Sequence, residues 1–148
     1  MENFKIIGIS VQTTNQNNRA ATDLGKLWQQ FFSNDISNKI PNKESEDIYA
    51  IYTDYGSDYK GKYTTIIGHR VNDLDKIPEG LVGREIKNEN LLKYVAQGEM
   101  PAAVVETWNE IWANDSTLNR IYVADFEVYG EKSQQGAKSE VEIYIGVR

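Results

Sequence analysis

Cysteine is absent from the 148 residues, and histidine occurs once, at His69. The first absence excludes disulfides, thiolate nucleophiles and cysteine-held zinc or iron–sulfur centres. The second excludes a multi-histidine metal site, so neither metal nor cofactor is expected. Basic residues are in deficit: 16 Lys and Arg stand against 22 Asp and Glu, a net charge of −6. A nucleic-acid surface needs a basic stripe, so direct nucleic-acid contact is not expected. No apolar run approaches the length that spans a bilayer, and the opening Met1-Glu2-Asn3-Phe4 has no basic leader, which together predict a cytoplasmic chain. Proline is scarce, with three residues, and each marks a boundary: Pro41 and Pro78 lie in polar stretches, and Pro101 can open a helix, where its missing N–H costs nothing.

What is present has the length and apolar content of one domain with a real core. Phe4 to Thr13 reads as a strand. Ala20, Ala21, Leu24, Leu27, Trp28, Phe31 and Phe32 recur at three- and four-residue steps and predict a helix from Arg19 to Phe32. Asp35 to Glu46 reads as a loop, and Ile48 to Tyr55 and Lys62 to Val71 as a hairpin around Gly56–Gly61. After a polar connection, Leu81 to Gln97 is strand-like with a polar break at 87–90. Val104, Val105, Trp108, Ile111 and Trp112 form a second helical stripe behind Pro101, ended by Asn114 to Thr117. Arg120 to Gly130 and Val141 to Val147 alternate as strands.

Strand, helix, strand, strand is therefore given twice. Trp28, Phe32 and Asn34 match Trp108, Trp112 and Asn114 at an offset of 80; Ala50, Tyr55 and Gly56 match Ala124, Tyr129 and Gly130 at 74; Ile67-Gly68 matches Ile145-Gly146 at 78. The pattern predicts an α+β fold in which one domain, 1–148, is built from pseudo-repeats 4–71 and 81–148. One antiparallel sheet would carry both helices on one face, with a groove between the units. Trp28, Trp108, Phe126, Ile143 and Ile145 are expected in the core. On the 74-residue match the neutral Thr53 and Ile51 stand where the second unit has Glu127 and Asp125.

The stretch Arg120-Ile-Tyr-Val-Ala-Asp-Phe-Glu-Val-Tyr-Gly130 carries the chemistry. One face has Tyr122, Ala124, Phe126 and Val128, and the other sets Asp125 and Glu127 beside Tyr129. A carboxylate on a mostly apolar strand is costly to bury unpaired. Glu127 is thus the candidate ligand-binding acid, although a solvent-facing glutamate on an edge strand fits the same pattern. Aromatic faces beside an acid suit an organic cation, which adds Tyr129, Trp112, Tyr55 and Tyr144 to Glu127 and Asp125 as candidate ligand-binding residues. Gly56-Ser-Asp-Tyr-Lys-Gly-Lys62-Tyr63 resembles a phosphate-binding loop but has Tyr63 where a hydroxyl residue is required and leads into a strand, so it reads as a hairpin turn. His69 has no nucleophile elbow near it and reads as a surface or strand-end residue.

Four segments carry a resemblance. They are Gly61-Lys-Tyr-Thr64 with Ile67-Gly68; Ile77-Pro-Glu-Gly80 leading into Leu92-Lys-Tyr-Val-Ala-Gln-Gly98; Trp108-Asn-Glu-Ile-Trp112; and Ala124-Asp-Phe-Glu-Val-Tyr-Gly130 with Val141-Glu-Ile-Tyr-Ile145. In order and spacing they resemble the GyrI-like effector-binding domains, which also occur at the C-terminus of AraC-type and MerR-type transcription activators. The resemblance covers nearly the whole chain and points to stand-alone members, since no helix-turn-helix domain precedes the module here. It implies a pocket acid at Glu127 and a hydrophobic, cationic, aromatic small molecule as partner, in sensing or sequestration of drugs. An alternative it equally implies is a hydrolase of strained, cyclopropane-bearing DNA-alkylating compounds, with Glu127 as general acid or base. A third is an interaction protein of the gyrase-inhibitor kind, whose protein partner the sequence does not name.

Overall fold

In the computed structural model, residues 3–87 and 90–148 are described. The strands are β1 (Phe4–Thr14), β2 (Ile48–Thr53), β3 (Lys62–Val71), β4 (Val82–Ile86), β5 (Asn90–Gln97), β6 (Ala124–Tyr129) and β7 (Glu140–Val147). The helices are α1 (Arg19–Ser33), α2 (Ile36–Lys39), α3 (Ala102–Ala113) and α4 (Asp115–Leu118). The class is α+β, as the periodicities predict. The strands form one antiparallel sheet in the order β4-β1-β3-β2-β6-β7-β5. Within it β1-β3-β2 is mirrored by β5-β7-β6 about the central β2–β6 pair, which is the duplicated strand–helix–strand–strand plan. β4 lies outside the mirrored order, so the second unit opens at β5 rather than at 81. Residues 88 and 89 of the expected 87–90 break lie outside the described residues.

Register fixes the faces. A row runs across the sheet through Ile9, Ile67, Ala50, Glu127, Ile143 and Tyr94. On that face α1 lays Leu27 and Phe31 against Ile7, Ala50 and Ile67. α3 lays Val104, Trp108 and Ile111 on the same face, against Val141, Ile143 and Ile145. Each of these large apolar side chains, taken out of water, contributes about 1.5–3 kcal/mol. The other face buries Phe4, Ile6, Ile51, Ile66 and Phe126. Ile86 and Leu91, from strands at opposite ends of the sheet, reach that one cluster, so the sheet curls round it. Gly8 and Gly68 pair where β1 and β3 approach closely; a Cβ on Gly8 would fall 2.0 Å from the Ile67 carbonyl oxygen.

Several local expectations are corrected. The 35–46 stretch is not all loop, because α2 folds within it and buries Ile36. The 120–130 strand begins only at Ala124: Tyr122 has a φ of 54°, a left-handed conformation that breaks the alternation before it. Phe32 closes the α1 stripe in sequence but is exposed. The 74-residue match is off by one. Tyr52 pairs with Thr65, and Glu127 pairs with Ile143, which stands 78 residues beyond Thr65. Tyr52 therefore answers to Glu127, and Ala50 to Asp125. Thr53 faces the opposite side of the sheet, beside Ala124. Among the described residues no helix is long and apolar enough to cross a membrane.

Candidate functional site

Each helix packs over the outer strands of its own unit, α1 on β1 and β3, α3 on β5 and β7. The central strands β2 and β6 are left as the floor of a groove. A cavity of about 570 Å³ lies there. Ala20, Leu24 and Trp28 come to it from α1, and Val104, Trp108 and Trp112 from α3; Tyr52, Glu127 and Tyr129 rise from the floor. The β2–β3 connection adds Tyr55 and Tyr59 to the wall, and the start of β3 adds Tyr63. Asn15 Nδ2 donates to the Tyr59 carbonyl at 2.9 Å and Gln16 Nε2 to that of Lys60 at 3.0 Å, which ties this connection to the start of α1. Tyr59 stacks on Trp112, with ring centroids 5.7 Å apart.

Glu127 is 1% exposed. Its Oε2 accepts from Trp108 Nε1 at 2.6 Å and from the Tyr52 hydroxyl at 2.9 Å, and its Oε1 from the Tyr129 hydroxyl at 2.6 Å. It has no salt-bridge partner among the described residues. Burial raises its pKa above the ordinary glutamate value, against the opposing pull of the bonds from Tyr129, Trp108 and Tyr52. The Tyr52 and Tyr129 hydroxyls are pushed well up, by burial first and by the neighbouring carboxylate second, so both remain donors at neutral pH.

Asp125 is buried but does not border the cavity. It holds Arg120 Nη2 at 2.7 Å, accepts the Gly146 amide at 2.8 Å and takes the Tyr55 hydroxyl. It is therefore a support for Arg120 and Tyr55, which do border the cavity, rather than a wall residue. Tyr144 lies on the other face of the sheet, stacked on Phe126 and bonded to Glu142, because even-numbered positions of β7 point away from the helices. Glu127, Tyr129, Trp112 and Tyr55 are brought together; Asp125 stands behind them and Tyr144 apart.

Trp28 is not a core residue: it is half-buried and meets Tyr129 edge-on at 5.0 Å on the cavity wall. Trp108 is buried as expected, yet it also donates to the acid. Tyr52, Tyr59, Tyr63 and Arg120 were missed as well. A signal existed for Tyr52, which shares the parity of Ala50, but only the pairing with β6 shows which residue it faces. His69 is neither at the surface nor at a strand end. Its Nδ1–H donates to the Asp47 carbonyl at 2.9 Å and its Nε2 accepts the Ser37 hydroxyl at 2.7 Å, beside Phe31. Among the described residues no group of three or more acids or histidines could hold a metal.

Against known proteins, the family model described as Cass2, integron-associated effector binding protein, matches residues 1–147. An integron cassette protein from the mobile metagenome of Vibrio cholerae, VCH_CASS2, is 31% identical, covering 100% of this chain and 92% of its own, with a TM-score of 0.78. YobU of Bacillus subtilis (strain 168), which carries a transcriptional regulator's name, is 27% identical over 124 residues, 82% of this chain and 78% of its own. The fold is also that of SAV2435 bound to tetraphenylphosphonium, at 18% identity and a TM-score of 0.82 over 100% of this chain and 90% of that one.

Proposed function

The chain belongs to the Cass2 family of integron-associated effector-binding proteins, and from that premise we propose that its cavity receives a hydrophobic organic cation, with Glu127 as countercharge. An effector-binding domain of the GyrI-like type is what the fold and family establish; the ligand class is our reading. One observation carries it: a carboxylate at the floor of an aromatic cavity, buried and held by three neutral donors, with no cation of its own among the described residues. An uncompensated buried charge is costly, and a ligand that supplies the opposite charge recovers that cost. Trp28, Trp108 and Trp112 line the same cavity, and aromatic rings attract a cation. The tetraphenylphosphonium held by SAV2435 supports the reading by its chemistry, a delocalised cation wrapped in aromatic rings.

Titration calorimetry with tetraphenylphosphonium tests it. Glu127→Gln can keep the local bonds, since the amide oxygen can take the place of Oε2 and the amide N–H₂ can donate to a reversed Tyr129 hydroxyl. The variant is expected to weaken the phosphonium by about 2–3 kcal/mol, the Coulomb attraction of unit charges roughly 6–8 Å apart at an effective dielectric of about 20. Neutral triphenylmethanol should bind both forms alike. Because burial raises the acid's pKa, phosphonium binding should release protons and weaken as pH falls through it. Unchanged phosphonium affinity in the variant would refute the assignment. A positioned acid with a raised pKa also meets the requirement of a general acid, so hydrolysis of a strained electrophile is the second reading. In that case the same variant would lose turnover far more than substrate affinity.

A further inference from the structure

Arg120 is a second polar group at the cavity, and its bonding is incomplete. Its side chain is 1% exposed, yet it borders the space that holds Glu127. A guanidinium carries five N–H donors. Here the bond from Nη2 to Asp125 is short, at 2.7 Å. Those from Nη1 to Asp115 and to the Tyr122 hydroxyl are both 3.4 Å, and Nε–H has no partner among the described residues. A buried donor without an acceptor costs free energy that a ligand oxygen can recover.

The charge of Arg120 is already met. Burial works against its ionised form, but Asp125 and the surrounding tyrosines more than offset that. What the guanidinium lacks is an acceptor, not an anion. A second carboxylate brought here would be repelled by Asp125, 2.7 Å from the same group. Trp108 touches both polar groups of the site: its N–H bonds Glu127, and Arg120 lies 5.8 Å from its ring centroid.

We propose that the ligand of this cavity carries, besides its cationic centre, a neutral hydrogen-bond acceptor such as a ketone or ether oxygen one aromatic ring away, and that Arg120 selects for it. This rests on the reading of Glu127 as the cation's countercharge. Ligands that are only cations fill one pole of the site; ligands with the added oxygen fill both.

Three phosphonium probes differing at one position test it on the unaltered protein: benzyltriphenylphosphonium, its 4-acetyl derivative and its 4-carboxylate. The acetyl compound should bind about tenfold tighter than the parent, the low end of what a bond to a charged donor contributes. The carboxylate should bind more weakly than the acetyl compound. Equal affinity of parent and acetyl compound overturns the proposal, and so does tightest binding by the carboxylate. Arg120→Lys keeps a charge for Asp125 and removes the Nε–H; where it folds, the ratio of acetyl to parent affinity should fall from about ten to about one. If the parent does not bind at all, the reading of Glu127 fails. If the parent binds and Glu127→Gln weakens it while the acetyl group adds nothing, only the role of Arg120 fails.

Discussion

Replacing Trp108 by Phe separates the two tasks of that residue, because the ring is kept and the N–H is lost. Trp108 packs edge-on to Tyr52 at 5.6 Å and donates to Glu127 at 2.6 Å. The smaller ring forfeits roughly 1–2 kcal/mol of apolar burial, which does not depend on pH. The lost bond adds a term that does. Made to an ionised carboxylate it contributes about 1.5–3 kcal/mol, and made to a neutral carboxyl about 1 kcal/mol. The indole bond lowers the Glu127 pKa, so its removal raises further a value that burial already holds above the ordinary one. The sign follows: the folded acid is protonated more readily than the unfolded one, so the variant's extra cost is absent at low pH and grows as pH rises through the folded pKa. At neutral pH the total should be about 2.5–5 kcal/mol, equivalent to a fall in Tm of roughly 5–20 °C for a chain of this size. Urea unfolding of both proteins from pH 4 to pH 8 checks this, because titrations shared by the two cancel in the difference. A destabilisation that is flat across that range would refute the claim that the indole bonds an ionisable Glu127.

Two further predictions concern buried polar groups outside the cavity floor. Asp125→Ala leaves Arg120 charged in the interior with only the longer 3.4 Å contact to Asp115 and should cost about 3–5 kcal/mol in urea unfolding; a loss under about 1 kcal/mol would mean that the pair is screened by water. Burial first, and the charge of Lys43 after it, hold the His69 pKa below its ordinary value, against the bond to Asp47. The stability it contributes is therefore fully present above about pH 6.5 and is lost as pH falls below that. Nitrogen NMR should find the neutral ring with its proton on Nδ1 at pH 7, and His69→Gln should remove that part of the acid-side loss.

Local patterns reached far in this chain because each helix has one apolar stripe and each strand a clear alternation. α1, α3, β3 and β7 were legible from those periods alone. Three features were not. α2 is one turn long, too short for a stripe to register, and is held by Ile36 packing in the α1 cluster. Tyr122 interrupts what reads as a continuous strand, and its left-handed backbone leaves no trace in the order of apolar and polar residues. β4 and β5 read as one broken strand region but pair with opposite ends of the sheet, which only the whole topology decides.

The site shows the same limit in its sharpest form. Glu127 stood out because a carboxylate in an apolar strand requires a compensating environment. What compensates it came from residues whose sequence context reads as packing: Trp108 from a core stripe, Tyr52 from a strand of aromatics. A one-residue error in matching β2 to β6 set Thr53 against Glu127, and in a sheet such a slip moves every side chain to the wrong face. With the register corrected, the residue that answers to Glu127 in the first unit is Tyr52, and its hydroxyl donates to that acid at 2.9 Å. Tyr52 and Glu127 stand across the β2–β6 pair, where the two units meet. The duplicated plan thus supplies the groove, and its departure from symmetry at that one position supplies both the charge and a donor that holds it.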